Sequence, residues 1–103
     1  MKIIISIPAY NEEKTLPGVL KEIKDIMQKG GYNYNILVWD DGSTDNTVKI
    51  AKEAGAIVFS NVKNLGLAET FKNEIKKCLE LKADIIVNTD ADGQYLAEDI
   101  PKL

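Results

Sequence analysis

"YNILVWDDGSTDNT", residues 34–47, decides the fold. An apolar run, Ile36 to Trp39, ends abruptly in two adjacent aspartates. Gly42 then permits a tight turn. Ser43 and Asp45 are residue types that cap a helix, and "TVKIAKEAG" continues as a short helix with Gly55 as its stop. A buried strand delivered into a polar turn and then a helix is the repeating unit of a parallel α/β sheet.

The same unit extends in both directions. Residues 2–8, "KIIISIP", form a β-branched run ended by proline and read as a buried strand. Leu16, Val19, Leu20, Ile23 and Met27 then recur at helical spacing over residues 16–27. Pro17 suits the first turn, Thr15 can cap it, and Gly30-Gly31 ends it. After the central strand at 34–40, residues 56–60 form a third strand. A helix from about Leu65 to Leu81 carries Leu67, Phe71, Ile75, Cys78 and Leu79 on one face, and a fourth strand follows at 84–89. Trp39, Phe59 and Cys78 are read as core side chains. The order β-α-β-α-β-α-β predicts a mostly parallel, Rossmann-like sheet, and the 103 residues suffice for one domain.

In such sheets ligands bind outside the carboxyl ends of the strands. Polar clusters stand at those ends: "PAYNEE" (8–13), "DDGSTD" (40–45), "SNVKNLG" (60–66) and "DADGQ" (90–94). Two carboxylates one residue apart, as in Asp90 and Asp92, can converge on a divalent cation, with Gln94 as a neutral oxygen ligand. They can equally be a solvated strand-end turn. Capping accounts for Ser43 and Asp45, but not for the adjacent acids Asp40 and Asp41. A carboxylate there can accept from a ribose hydroxyl or a base N–H. Tyr10 can stack on a base or pack, and the helix dipole favours Glu13 in a first turn. Lys63 can meet a phosphate or remain solvated.

Composition narrows the chemistry. The absence of histidine removes the commonest general base and the commonest transition-metal ligand, so a metal here would be a hard ion on oxygen. A net charge of −3 argues against nucleic acid as the main partner. Cys78 is the only cysteine and cannot form an internal disulfide, which fits a reducing compartment. The N-terminal apolar run is too short for a membrane span or a signal-peptide core. Neither G-x-G-x-x-G nor a P-loop motif is present, so phosphate binding would run through a metal rather than a glycine-rich cradle.

In order and spacing, "SIPAYNEEKTLPGVL", "ILVWDDGSTDNT", "NLGLAETF" and "IIVNTDADGQ" resemble the inverting glycosyltransferases of family 2, with the GT-A fold. The resemblance covers nearly the whole chain. "DADGQ" followed by "EDIPKL", together with "NLGLA", looks most like the polyprenyl-phosphate sugar transferases, the group that contains dolichol-phosphate mannose synthase. It implies that Pro8, Tyr10 and Glu12 line a nucleotide pocket. Asp41 would hold the base, with Trp39 and Asp40 beside it. Asp90 and Ala91 would lie near the ribose and diphosphate. Asp92 and Gln94 would ligate a Mg2+ or Mn2+ ion bridging the diphosphate of a UDP- or GDP-sugar. The implied reaction is direct displacement at the anomeric carbon with inversion.

The resemblance further implies that residues 1–103 are the N-terminal, nucleotide-sugar-binding part of a truncated transferase domain. It would work in the cytoplasm or at the cytosolic membrane face, with a lipid phosphate as acceptor. A small residue, often glycine, is usual near the end of the "GLA" helix segment in the family, where this chain reads "FKNEIKKC". Two other readings stand beside this one. One is a nucleotidyltransferase-like domain. The other is a non-catalytic half-domain that pairs with itself through apolar surface left uncovered.

Overall fold

The computed structural model describes residues 2–61 and 65–89, without the side chain of Leu67. Seven elements follow in chain order: β1 (Ile3–Ala9), α1 (Leu16–Lys29), β2 (Tyr34–Asp40), α2 (Thr47–Glu53), β3 (Ile57–Ser60), α3 (Leu67–Glu80) and β4 (Ile85–Asn88). The predicted strands and helices are all present, with β2 at its predicted bounds and the others shifted at an end by one or two residues. The sheet runs β3-β2-β1-β4, and every pairing is parallel. Ile3 pairs with Tyr34 at one end of the central pair, and Ala9 with Asp40 at the other.

Strand alternation sorts the side chains into two layers. Ile5, Ile7 and Ala9 of β1, with Ile36 and Val38 of β2, pack against Leu16, Leu20, Ile23 and Met27 of α1 and Ala51 of α2. On the other face Ile4 and Leu37 meet Cys78 of α3. Full burial of an isoleucine or leucine contributes about 1.5–3 kcal/mol, so the first, larger layer carries most of the apolar stabilisation.

The helix ends follow local chemistry, in part as expected. Gly31 has φ +70°, its N–H bonds Gln28 O at 3.1 Å, and Tyr32 N–H reaches Met27 O at 3.2 Å, which is a Schellman stop. Gly55, at φ +86°, closes α2 the same way, with Ala56 N–H on Ala51 O at 3.1 Å. The N-termini differ from expectation. Thr15 occupies the N-cap position of α1 but makes no side-chain cap bond, and its hydroxyl donates to Glu12 Oε2 at 3.2 Å. Ser43 does not cap α2 either, because its Oγ is taken by Asn11 N–H. Asp45 does serve the start of α2, accepting from Thr47 N–H at 3.0 Å and from the Thr47 hydroxyl at 2.5 Å.

The predicted face of α3 is corrected. Phe71 and Leu79 are 47% and 64% exposed, while Thr70, Glu74 and Cys78 are buried against the sheet. The helix is rotated so that Thr70 and Glu74 join Cys78, buried as expected, on the inward side, while Phe71 and Leu79 turn outward. Thr70 and Glu74 meet polar groups: the Ser6 hydroxyl of β1 donates to Glu74 Oε2, and Asn61 Nδ2 donates to Thr70 Oγ1 at 3.2 Å. Trp39 and Phe59 are half-buried rather than fully inside. Their rings stack with centroids 5.3 Å apart, and Lys77 Nζ lies 4.7 Å over Phe59.

Candidate functional site

Because all four strands are parallel, their carboxyl ends lie at one end of the sheet. Two loops that the sequence singled out meet there. Pro8 and Ala9 lie in register with Trp39 and Asp40, and Asp41 N–H continues the ladder to Ala9 O at 2.9 Å. The loop after β1 (10–15) and the loop after β2 (41–46) therefore leave the sheet side by side.

They are laced together beyond that point. Asn11 adopts a left-handed conformation, φ +52°, which asparagine tolerates better than most residues. The next amides then turn toward the second loop. Asn11 N–H donates to Ser43 Oγ (2.8 Å), Glu12 N–H to Thr47 Oγ1 (2.9 Å) and Glu13 N–H to Asp45 Oδ2 (3.3 Å). The second loop answers with Thr44 N–H on Asn11 Oδ1 (2.8 Å) and Asn46 N–H on Glu13 Oε2 (3.2 Å). Ser43, Asp45 and Thr47 offer side-chain acceptors while Thr44 and Asn46 between them offer backbone donors. This alternation explains the polar pattern "GSTDNT" more fully than capping does.

The two aspartates do different work. Asp40 is 2% exposed, and its Oδ2 accepts from Gly42 N–H at 3.2 Å and Ser43 N–H at 3.0 Å, shaping the turn. Its buried Oδ1 has no hydrogen-bond partner among the described residues. Asp41, 7% exposed, reaches away to the start of α3. Its Oδ1 accepts from Leu65 N–H and Asn61 Nδ2, both at 2.8 Å, and its Oδ2 from Gly66 N–H at 3.1 Å. Burial alone would push the Asp41 carboxyl up. The hydrogen bonds from Leu65, Asn61, Gly66 and Thr70 outweigh it and hold the group below its ordinary 3.8. A carboxylate has about four acceptor positions, and these four donors match them.

Trp39 is tied in through its indole, whose Nε1 donates to Asn61 Oδ1 at 2.9 Å. Tyr10 stands 44% exposed at the mouth, free to meet a planar ligand. Pro8 and Glu12 are half-buried beside it. Pro8, Tyr10, Glu12, Trp39, Asp40 and Asp41 are thus gathered at the sheet's carboxyl end. Asp90, Ala91, Asp92 and Gln94, with Lys63, lie outside the described residues. The described chain brings β4 to the same end, where Thr89 N–H bonds Ser6 O at 3.0 Å. Among the described residues no three His, Cys, Asp or Glu side chains gather as a metal site, so a cation would depend on ligands beyond them.

Three residues went unnoticed in the sequence: two that build this site, and Glu74 of α3, which pairs with Ser6 inside the sheet packing. Asn11 and Asn61 each sit just past a strand end, a position where asparagine bonds local backbone. That spacing was the available signal. Glu74 gave none, because nothing in a helical pattern marks a buried acid.

The family model for "Glycosyl transferase family 2" matches residues 4–103. An uncharacterized protein of Methanocaldococcus jannaschii is 43% identical over 102 residues, with 99% of this chain and 40% of that protein covered. The UDP-N-acetylglucosamine–dolichyl-phosphate N-acetylglucosaminyltransferase of Methanococcus voltae is 37% identical, covering 98% and 45%. An undecaprenyl-phosphate 4-deoxy-4-formamido-L-arabinose transferase of Pseudomonas fluorescens is 33% identical, covering 98% and 30%. The chain spans less than half the length of these relatives.

Among solved structures, mannosyl-3-phosphoglycerate synthase from Rubrobacter xylanophilus superposes with a TM-score of 0.79 at 23% identity, covering 89% of this chain and 31% of that one, a likeness of fold. Glucosyl-3-phosphoglycerate synthase from Mycobacterium tuberculosis, solved with Mn2+, UDP and glucosyl-3-phosphoglycerate, gives a TM-score of 0.70 at 29% identity, covering 87% and 33%. The fold is that of the GT-A glycosyltransferases, and the chain belongs to glycosyl transferase family 2.

Proposed function

We propose that this chain forms the nucleotide-sugar-binding part of a glycosyltransferase that passes a sugar from a UDP- or GDP-sugar to a polyprenyl-phosphate acceptor. One observation carries the reading: Asp40 and Asp41 end the central strand in a turn interlocked with the loop that bears Tyr10 and Glu12, at the carboxyl end of the parallel sheet. Pro8, Tyr10, Glu12 and Trp39 then surround the nucleoside, while Asp90 and Ala91 meet the ribose and diphosphate. Asp92 and Gln94 hold Mg2+ or Mn2+, which when bound neutralises charge on the departing diphosphate. The M. tuberculosis neighbour's UDP and Mn2+ support the donor and the cation. The acceptors in the names of the M. voltae and P. fluorescens relatives support a lipid phosphate, and with it a place at the cytosolic membrane face. Among the described residues no helix is long and apolar enough to cross a membrane. Family membership favours this reading over a nucleotidyltransferase.

Calorimetric titration with UDP and with GDP, each with and without Mn2+, tests it. Metal-dependent binding of one nucleotide, lost in Asp92→Asn, is expected. Binding of neither by the folded chain would overturn it.

A second reading rests on α3. Phe71 and Leu79 point outward on one side of the helix. That surface suits self-association into a homodimer. Sedimentation should then show a dimer that Leu79→Lys disperses; a monomer at every concentration would exclude it.

A further inference from the structure

Asn11 has no part in the donor chemistry outlined above, yet the interlock of the two loops turns on it. Its left-handed backbone is what aims three successive amides, those of Asn11, Glu12 and Glu13, at Ser43, Thr47 and Asp45. An extended residue there would send alternate amides to opposite sides. Among the described residues its side chain acts as an acceptor, with Oδ1 taking Thr44 N–H at 2.8 Å and the Thr44 hydroxyl at 3.4 Å. On one side Asn11 adjoins Tyr10. On the other, Thr44 lies in the turn shaped by Asp40 and followed, through Asp45, by α2.

We propose that Asn11 is the positioning residue of the donor site, fixing the Tyr10 loop and the Asp40–Asp41 turn as one rigid platform. The proposal rests on the donor-binding reading for its ligand, but its structural claim stands apart. It assigns the side chain a role through its acceptor oxygen and its tolerance of a positive φ, and gives it no contact with the nucleotide.

Three substitutions separate these properties. Asn11→Asp keeps the acceptor and most of the conformational tolerance. Asn11→Gly keeps the turn and loses the acceptor. Asn11→Val loses both, since a β-branched residue resists positive φ. Each is titrated with UDP in the presence of Mn2+, or with GDP where the wild type prefers it. Amide hydrogen exchange is read at Glu12, Glu13, Thr44 and Asn46, and at Ile36–Val38 as a reference.

Asn11→Asp should bind like the wild type. Asn11→Gly should weaken binding about fivefold and Asn11→Val about tenfold or more, the scale of one or two lost hydrogen bonds. The loop amides should exchange faster together in Asn11→Val while the β2 amides do not change. Unchanged affinity and unchanged loop amides in Asn11→Val would overturn the proposal. So would a loss that Asp fails to rescue and that comes with faster exchange in β2, since that would mark general destabilisation. If the wild type binds neither nucleotide, the donor reading fails, and the exchange pattern alone decides whether Asn11 unites the loops.

Discussion

Asp41 shows how one side chain can join two elements. Its carboxylate spans from the end of β2 to the first amides of α3, through Leu65 and Gly66, and shares Asn61 with Trp39 and Thr70. Asp41→Asn would replace one acceptor oxygen with an N–H facing an N–H. The expected cost is about 1–3 kcal/mol in chemical denaturation, together with loss of nucleotide binding. The pH dependence has a definite sign. A carboxyl held below its ordinary 3.8 in the folded state stabilises the fold above that value, and the contribution fades as pH falls through the lowered folded value. Asp41→Asn should therefore flatten the acid limb of the stability profile and leave its neutral and alkaline parts parallel to the wild type. Glu74 also joins two elements, α3 and β1. It is fully buried and accepts the Ser6 hydroxyl. Glu74→Gln keeps an acceptor for Ser6 and should cost much less than Glu74→Ala, which removes the acceptor and opens a cavity at about 2–4 kcal/mol. Equal losses in thermal or urea melts would show that the hydrogen bond contributes nothing.

Elements were legible where a single local rule decides them. The β-branched runs, the glycine stops after α1 and α2, and the alternation of strand and helix all follow from the chain's own pattern. Gly55 stands at φ +86° with nothing within 4 Å of an added Cβ, so Gly55→Ala should cost about 1 kcal/mol through backbone strain alone. Gly18 lies inside α1 with equally open space, and Gly18→Ala should stabilise by about 0.5–1 kcal/mol. Thermal melts of the two variants should move in opposite directions. The facing of α3 was not legible, because two rules conflict there. Periodicity nominates Phe71, Ile75 and Leu79 as the inward face. The tether from Asp41 to Leu65 and Gly66 anchors the start of the helix and turns Thr70 and Glu74 inward beside Cys78, while Phe71 and Leu79 stay exposed. A tertiary hydrogen bond from a residue far earlier in the chain is invisible to a periodicity rule. The site divides likewise. Asp40, Asp41, Tyr10 and Glu12 announced themselves by charge and position, whereas Asn11 and Asn61 act through geometry that only the assembled loops reveal.

At the scale of the whole molecule, the parallel sheet makes one end chemically distinct from the other. The apolar layers are closed by α1 and α2 on one face and α3 on the other, and the interlocked loops crown the carboxyl ends of β1 and β2. This is the GT-A arrangement of glycosyl transferase family 2, present in a chain that spans less than half the length of its relatives. A sugar nucleotide is proposed to bind at that end. Titration of the isotopically labelled chain with UDP and GDP in the presence of Mg2+, followed by amide chemical shifts, tests it most directly. Shifts confined to Tyr10–Glu13, Asp40–Thr44 and the residues after β4 are expected, with α1 from Leu20 onward silent. Shifts concentrated instead where Leu20, Lys24 and Gln28 of α1 and Ile50 and Glu53 of α2 line a groove, or no shifts at all from a folded chain, would contradict it.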